Sequence, residues 1–198
     1  PKCTMPSTPN LPWTYFPQWL DDGRAEHLMR TGWEDWPWEQ GTVSLFGRLH
    51  LEPRRSFFQA DVGCDYRYAG RTLRGQGWHP DLAQLRSEIE TELGTPFNSV
   101  LVNAYRNGRD YMGYHQDNEP ELGPHPHVAS LSLGASRDFI LRSKDASKKR
   151  FTLALHSGDL LWMQPPCQHM FEHALPMRLR VDSPRINLTF RQIVPVLL

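Results

Sequence analysis

The chain is short of several things, and each shortage excludes a class of protein. Its three cysteines, Cys3, Cys64 and Cys167, are scattered and odd in number, so they suggest neither a disulfide framework nor a zinc site, and a reducing compartment is expected. Basic and acidic side chains balance at 22 each, so no global field draws a polyanion, and any nucleic-acid contact has to come from local patches. No apolar run is long enough to span a bilayer and no signal peptide is visible, so no membrane partner is expected. Repeats and low-complexity blocks are absent, apart from a proline-rich start, Pro1 to Pro12, that reads as an irregular arm. At 198 residues the chain is long enough for one domain with a sizeable core.

What is present changes character along the chain. Leu20 to Arg30 reads as a short helix, and the tryptophan- and acid-rich stretch Trp33 to Trp38 has no clear period. Thr42 to His50 reads as one strand, with Val43, Leu45 and Leu49 on one face and Phe46 on the other beside Gly47. Ser56–Val62 and Tyr66–Tyr68 are further strand-like runs. Asp81 to Leu93 is the strongest helix: Leu82, Leu85, Ile89 and Leu93 fall at helical spacing, Pro80 stands at its start and Gly94 just past its end. Eight short strand-like runs follow: Phe97–Tyr105, Tyr111–His115, Val128–Leu133, Phe139–Arg142, Phe151–His156, Leu160–Met163, His169–His173 and Ile186–Ile193. Turn signals at Asn107-Gly108, Gly123-Pro124 and Ser157-Gly158-Asp159 separate them. The pattern predicts an α+β, mainly β fold built on a double-sheet jelly roll of the cupin type, a double-stranded β-helix with N-terminal helices. Residues 1–40 form the arm and short helix, 41–79 a hairpin region, and 80–198 the helix plus jelly-roll core, all in one compact domain.

Within that framework His115 and Asp117 stand one residue apart, and a third candidate ligand, His173, lies far downstream in Phe171-Glu172-His173-Ala174. A His-X-Asp pair alone is weak, since chance gives one in roughly every two chains of this composition. Residues i and i+2 of a strand point to the same side, so the pair can share one ion, and a jelly roll can bring a late strand alongside. Two histidines and one carboxylate that leave the opposite face open suit a non-haem Fe(II) oxygenase; zinc takes the same ligands. The other histidines are poorer candidates: His125 and His127 lie in a loop, His156 precedes a turn, and His169 is a decoy two residues before Phe171. Arg185, Asn187, Thr189 and Arg191 alternate along the last strand, opposite an apolar Ile186, Leu188 and Phe190. Two arginines on one face suit a dicarboxylate, because guanidinium pairs bidentately with carboxylates. Asn103 and Tyr105 alternate in the same way and add neutral hydrogen-bonding groups.

Taken together, Asn98-Ser99-Val100-Leu101-Val102-Asn103-Ala104-Tyr105, His115-Gln116-Asp117, His173 and Arg185-Ile186-Asn187-Leu188-Thr189-Phe190-Arg191 resemble the AlkB family over residues 42 to 194. These are Fe(II)- and 2-oxoglutarate-dependent dioxygenases that repair alkylated nucleic acids. The resemblance implies that His115, Asp117 and His173 hold the iron. It implies that Asn103, Tyr105, Arg185, Asn187 and Arg191 line the 2-oxoglutarate pocket, with Arg185 paired to a co-substrate carboxylate and Arg191 bracing the metal end through Asp117. The middle of the chain is most similar to the duplex-DNA-repairing human member. Val43-Ser44-Leu45-Phe46-Gly47-Arg48 and Pro53-Arg54 resemble its hairpin, which makes Phe46 the wedge and Arg54 a substrate contact. Asp65-Tyr66-Arg67-Tyr68-Ala69-Gly70 resembles its base-pocket strand, so Tyr66 and Tyr68 would stack on the flipped base, and Glu119 stands where a pocket acid is expected. By this resemblance residues 41–79 become a nucleotide-recognition lid. One departure is Glu172, where an aromatic is common in the family.

The expected function is an oxidative demethylase of N-alkylated bases in DNA, 1-methyladenine and 3-methylcytosine, that consumes Fe(II)-activated O2 and 2-oxoglutarate and releases formaldehyde, succinate and CO2. Two alternatives stay open: an RNA or protein side-chain demethylase or hydroxylase of the same family, and a non-catalytic nucleic-acid-binding jelly-roll module. Duplex DNA is the favoured partner over single-stranded DNA or RNA, and a monomer is expected, nuclear in a eukaryote and cytoplasmic in a bacterium. A base has to leave the stack before its ring nitrogen can be reached, and an inserted apolar side chain can replace it. Phosphate contacts need local charge, which Arg48, Arg54, Arg55, Arg67, Arg71 and Arg74 form in one region and Lys144, Lys148, Lys149 and Arg150 in another.

Overall fold

The computed structural model describes residues 11–45, 47–68 and 71–194, and at residues 43–45, 68 and 71 the backbone alone. In chain order the strands are β1 (Trp13–Phe16), β2 (Thr42–Leu45), β3 (Arg48–Leu51), β4 (Arg55–Ala60), β5 (Tyr66–Tyr68), β6 (Arg71–Leu73), β7 (Ser99–Tyr105), β8 (Met112–His115), β9 (Val128–Gly134), β10 (Arg137–Ser143), β11 (Arg150–Leu155), β12 (Leu160–Met163), β13 (Phe171–Leu175) and β14 (Arg185–Arg191). Three helices accompany them: α1 (Asp22–Asp35), α2 (Pro80–Leu93) and the single turn α3 (Cys167–Met170).

The expected jelly roll is present. A six-stranded antiparallel sheet runs β1-β12-β9-β14-β7-β4, and a four-stranded sheet runs β11-β10-β13-β8. Period-two alternation gives each strand of the larger sheet two jobs. Ile186, Leu188 and Phe190 of β14, with Val100 and Val102 of β7 and Leu131 and Leu133 of β9, turn outward and pack under Leu28 of α1 and Leu82, Leu85 and Ile89 of α2. Their alternate neighbours face the space between the sheets. A second core there joins Leu161, Met163 and Val128 to Phe139, Leu141, Leu155 and Phe171. No helix among the described residues is long and apolar enough to cross a membrane.

The helix ends follow their sequence signals. His79 caps α2 through Nδ1, which accepts from the Asp81 N–H at 3.3 Å, and Gly94 closes it in the left-handed conformation at φ 63°. Asp21 caps α1 by accepting from the Arg24 N–H at 2.9 Å. The helix runs further than the expected Leu20–Arg30, because Gly32 lets the Trp36 ring fold back against it: a Cβ there would lie 2.8 Å from that ring. The tryptophan-rich stretch is thus a helix end packed into the core, with Trp33 and Trp38 resting on it.

Several expectations are corrected. Thr42 to His50 is not one strand but the antiparallel hairpin β2–β3, reversed at Gly47 with φ +76°. β1 pairs with β12 and β4 with β7, so both the arm segment and the hairpin segment contribute strands to the larger sheet. The run His169–His173 divides into α3 and β13, and β8 ends at His115, leaving Asp117 beyond the strand.

Candidate metal centre and active site

β13 pairs with β8 so that His173 lies directly opposite His115, with ring centroids 4.3 Å apart. Asp117 reaches them from the segment after β8. Its backbone N–H donates to Gln168 Oε1 at 2.9 Å, and its Oδ2 accepts from Arg191 Nη2 at 2.9 Å and Nε at 3.2 Å. His115 Nδ1 sits 2.9 Å from the Gly113 carbonyl, which can only accept. An Nδ1–H donated to that carbonyl leaves Nε2 facing Asp117 Oδ1 at 3.8 Å. One donor atom from each of the three residues lies within 4.8 Å of the others.

Two observations show that this donor set fits a divalent cation. Asp117 Oδ1 is buried without a hydrogen-bond partner, a costly arrangement that a shared ion resolves. Both buried ligands are also in their metal-binding protonation states. Burial by itself raises the Asp117 carboxyl, but Arg191, then His173 and His115, hold it at about 2. For His173, burial and then His115 push the imidazole down to about 3, so it is neutral at physiological pH. Arg191 stays a cation: burial disfavours its charge, and Asp117 more than restores it.

The cavity beside this centre is lined by the inward residues of β14 and β7. Arg185 is 1% exposed. Its Nη2 donates to Ser132 Oγ at 2.8 Å, and Nη1 to the Leu155 and Ala135 carbonyls at 3.3 and 3.5 Å. Nε has no partner, and no carboxylate among the described residues forms an ion pair with this guanidinium. Burial lowers its pKa to about 10, which still leaves it charged. Asn187 donates to Ser130 Oγ at 2.8 Å and accepts from Thr189 Oγ1 at 3.0 Å. Asn103 and Tyr105 stand opposite Asn187 and Arg185 in the β7–β14 register. A buried guanidinium without an ion-pair partner and a candidate metal-binding donor set thus share one cavity.

The sequence-predicted substrate residues are placed unevenly. Tyr66 is 1% exposed, stacks on Phe58 at 5.9 Å, and lies under the Arg191 guanidinium at 5.8 Å. Its hydroxyl stands close enough to the Glu119 carboxyl for the two groups to influence each other's charge. Burial raises both groups, and Asp117 adds to the effect on Glu119, so the two form a buried polar pair at the metal end. Arg54 is no surface contact: it is buried, donating Nε to Asn103 Oδ1 at 3.1 Å and lying 3.4 Å from a Glu52 carboxylate oxygen. Phe46 and the side chain of Tyr68 lie outside the described residues. In the first basic cluster the Arg55 guanidinium is stacked over Trp33 and Trp38 at 4.9 and 5.9 Å, and the Arg71 side chain is outside the described residues; Arg48, Arg67 and Arg74 are exposed. In the second, Lys144, Lys148 and Lys149 are exposed in the β10–β11 loop and Arg150 at the start of β11, and Lys144 Nζ reaches Gln116 Oε1 at 2.6 Å, between the two ligands of the β8 segment.

The weaker histidines fall away. His169 sits on α3 with Nε2 2.7 Å from the Pro124 carbonyl, His156 pairs with Asp159, and His127 stacks on Trp162. Sequence reasoning missed three supporting residues. Ser130 and Ser132, which hold Asn187 and Arg185, carried a readable signal as two alternating polar residues in the otherwise apolar β9. Gln168, which fixes the Asp117 backbone from α3, carried none.

The chain matches the family profile described as the 2OG-Fe(II) oxygenase superfamily over residues 12–191. It is 44% identical over 160 residues to the mouse protein named DNA oxidative demethylase ALKBH2, covering 77% of this chain and 67% of that one. The human protein of the same name is 40% identical over 159 residues, with 77% and 61% covered. Human alpha-ketoglutarate-dependent dioxygenase alkB homolog 3 is 34% identical over 189 residues, with 91% and 65% covered. The chain therefore spans about two thirds or less of the length of these relatives. A solved structure titled "The structure of OsALKBH1" superposes with TM-score 0.63 at 15% identity, covering 94% of this chain and all of that one, and so shares its fold.

Proposed function

Because this chain belongs to the AlkB family of the 2OG-Fe(II) oxygenase superfamily, and so uses Fe(II) and 2-oxoglutarate, we propose that it is an oxidative demethylase of N-alkylated DNA bases with a preference for duplex substrates. The observation that carries this reading is one cavity with a buried, partly orphaned His115–Asp117–His173 donor set at one end and the uncompensated cation of Arg185 at the other. When bound, Fe(II) and 2-oxoglutarate would supply, with O2 as the oxidant, the oxidation of the N-methyl group to a hydroxymethyl that leaves as formaldehyde; one oxygen atom enters the hydroxymethyl and the other the succinate formed with CO2 from 2-oxoglutarate.

The protein's own part is binding, orientation and exclusion of water. Arg185 takes the distal carboxylate of 2-oxoglutarate, with Asn103, Tyr105 and Asn187 along the same wall. Arg191 holds Asp117 as an anion and keeps Oδ1 turned towards the histidines. Tyr66 and Glu119 close the substrate side of the centre, where a flipped base enters. The β2–β3 hairpin supports the duplex preference: Leu49 and Leu51 point off one face at 77% and 66% exposure, an apolar surface suited to an opened stack rather than to water. Phe46 belongs to the same hairpin segment and is the proposed wedge. The exposed Lys144, Lys148, Lys149 and Arg150 supply phosphate contacts from the loop whose Lys144 reaches Gln116.

Formaldehyde release from matched single-stranded and duplex oligonucleotides carrying 1-methyladenine or 3-methylcytosine, with Fe(II) and 2-oxoglutarate supplied, tests the proposal. Release from both with a higher kcat/KM on duplex supports it. Release only from methylated RNA, or binding without any turnover, refutes it.

A further inference from the structure

We propose that Arg142 is a positioning residue for the metal centre, acting through a three-strand brace made with Glu172 and Tyr114. The proposal rests on the metal-centre reading above and concerns the face of the smaller sheet that points away from it.

Strand alternation places Tyr114 and Glu172 on that outer face, each one residue before a metal-ligand histidine, His115 on β8 and His173 on β13. Arg142 on β10 stands directly opposite Glu172. Its Nε and Nη2 both reach Glu172 Oε1, at 2.8 and 2.7 Å, and its guanidinium lies 3.7 Å over the Tyr114 ring. One planar side chain therefore crosses β13 and touches β8. The side chains of Arg142 and Glu172 are only about a quarter exposed, so the pair is better shielded from water than an ordinary surface pair.

The location makes the brace consequential. β8 is the edge strand of its sheet and pairs with β13 alone. That pairing is short and irregular: His173 faces His115, Leu175 faces Met112, and the register shifts between them. The backbone ladder that sets the His115–His173 spacing is thus weakest where the two ligands meet. The Tyr114–Arg142–Glu172 stack spans that joint from the outside.

The test uses the full chain without iron and Mn(II) alone as the probe. Arg142→Met keeps an unbranched side chain of similar reach and removes the guanidinium; Glu172→Gln keeps the shape and removes the charge. Each is expected to weaken Mn(II) binding on the order of tenfold, as loss of an outer support of a metal ligand does. The double variant is expected to lose no more than the worse single one, because both substitutions break the same contact. The visible d–d band of the Co(II) form should change in position or intensity in both variants, a signature that a loss of general stability does not produce. Unchanged Mn(II) affinity and Co(II) spectrum overturn the proposal even if the melting temperature falls, and so do additive losses in the double variant. Should Arg142→Met fold poorly, the near-isosteric Glu172→Gln still gives the decisive reading. A wild-type chain that binds no stoichiometric Mn(II) would sink the metal-centre reading and this one together, whereas normal wild-type binding with unaffected variants sinks only the brace.

Discussion

Replacing Arg185 by methionine should separate stability from co-substrate binding. The guanidinium is buried, and its pKa falls from 12.5 to about 10. At about 1.4 kcal/mol per pH unit, holding the charge there costs the fold about 3 kcal/mol. Methionine removes that cost. It also removes a good hydrogen bond to Ser132 Oγ at 2.8 Å and two longer ones to the Leu155 and Ala135 carbonyls at 3.3 and 3.5 Å. Hydrogen bonds from a charged donor contribute about 1.5–3 kcal/mol each when well formed, so the losses and the relief are of similar size. The melting temperature of the metal-free protein should change little. Binding of 2-oxoglutarate should suffer far more, because its carboxylate would be left in a buried site without its cation. Breaking such a pair from one side costs about 3–5 kcal/mol, which is roughly two to three and a half decades in affinity. Initial rates of formaldehyde release against 2-oxoglutarate concentration measure the change in KM, and Mn(II) titration should show the metal site intact. A KM within threefold of wild type, accompanied by a large drop in melting temperature, would mean that Arg185 is a structural residue and would refute the reasoning.

Other outcomes follow from the same geometry. His115→Ala and Asp117→Ala should each abolish turnover and weaken Mn(II) binding in isothermal titration, since the three-ligand set has no spare; wild-type affinity in both variants would sink the assignment. Asp117→Ala should also destabilise the metal-free fold by about 3–5 kcal/mol, because it leaves Arg191 buried and unpaired, and a denaturation midpoint equal to that of wild type would contradict this. In the metal-free protein His173 holds its pKa near 3 against an ordinary 6.5, so the unfolded chain binds a proton that the folded chain refuses. Stability from this group is therefore complete above pH 6.5 and declines as the pH falls towards 3; His173→Gln should flatten that slope in a series of thermal melts, and an unchanged slope would show that another group causes it. Phe46→Ala should slow repair of duplex DNA strongly and of single strands little, because only the duplex imposes the full unstacking cost of a few kcal/mol. Equal losses of kcat/KM on both substrates, or a large fall in melting temperature, would instead make Phe46 a core residue.

The parts of the fold legible in the sequence are those where one local period decides everything. α2 was readable because four apolar residues, a proline and a glycine agree, and β14 because seven residues alternate without a break. Less legible were elements whose form depends on distant partners. β1 follows a proline-rich stretch and exists because β12 offers an edge. The β2–β3 hairpin reads as one strand because its reversal rests on a single glycine. The site shows the same division. The candidate ligands stand out by type, but the end of β8 before Asp117 does not, since Asp117 is fixed beside the histidines by Arg191 on its side chain and Gln168 on its backbone, both remote in sequence. Charge misled most. Arg54 and Arg55 count towards a basic cluster on paper, yet one is buried against Asn103 and the other stacked on tryptophans, and composition carries no information about which way a guanidinium turns.

The place of β14 between β9 and β7 governs how the protein comes into being. All seven of its residues pair on both sides, so it is the keystone of the larger sheet, and it follows every other strand among the described residues. Without Arg185 to Arg191, β1-β12-β9 and β7-β4 have no strand between them, and each would present a long unpaired inner edge. Such edges invite pairing with other chains, and the many non-local contacts that close the gap are slow to form. The same seven residues carry Arg185, proposed to hold the co-substrate, and Arg191, which holds Asp117. Insertion of this one strand therefore both closes the sheet and brings Arg185 and Arg191 to the cavity.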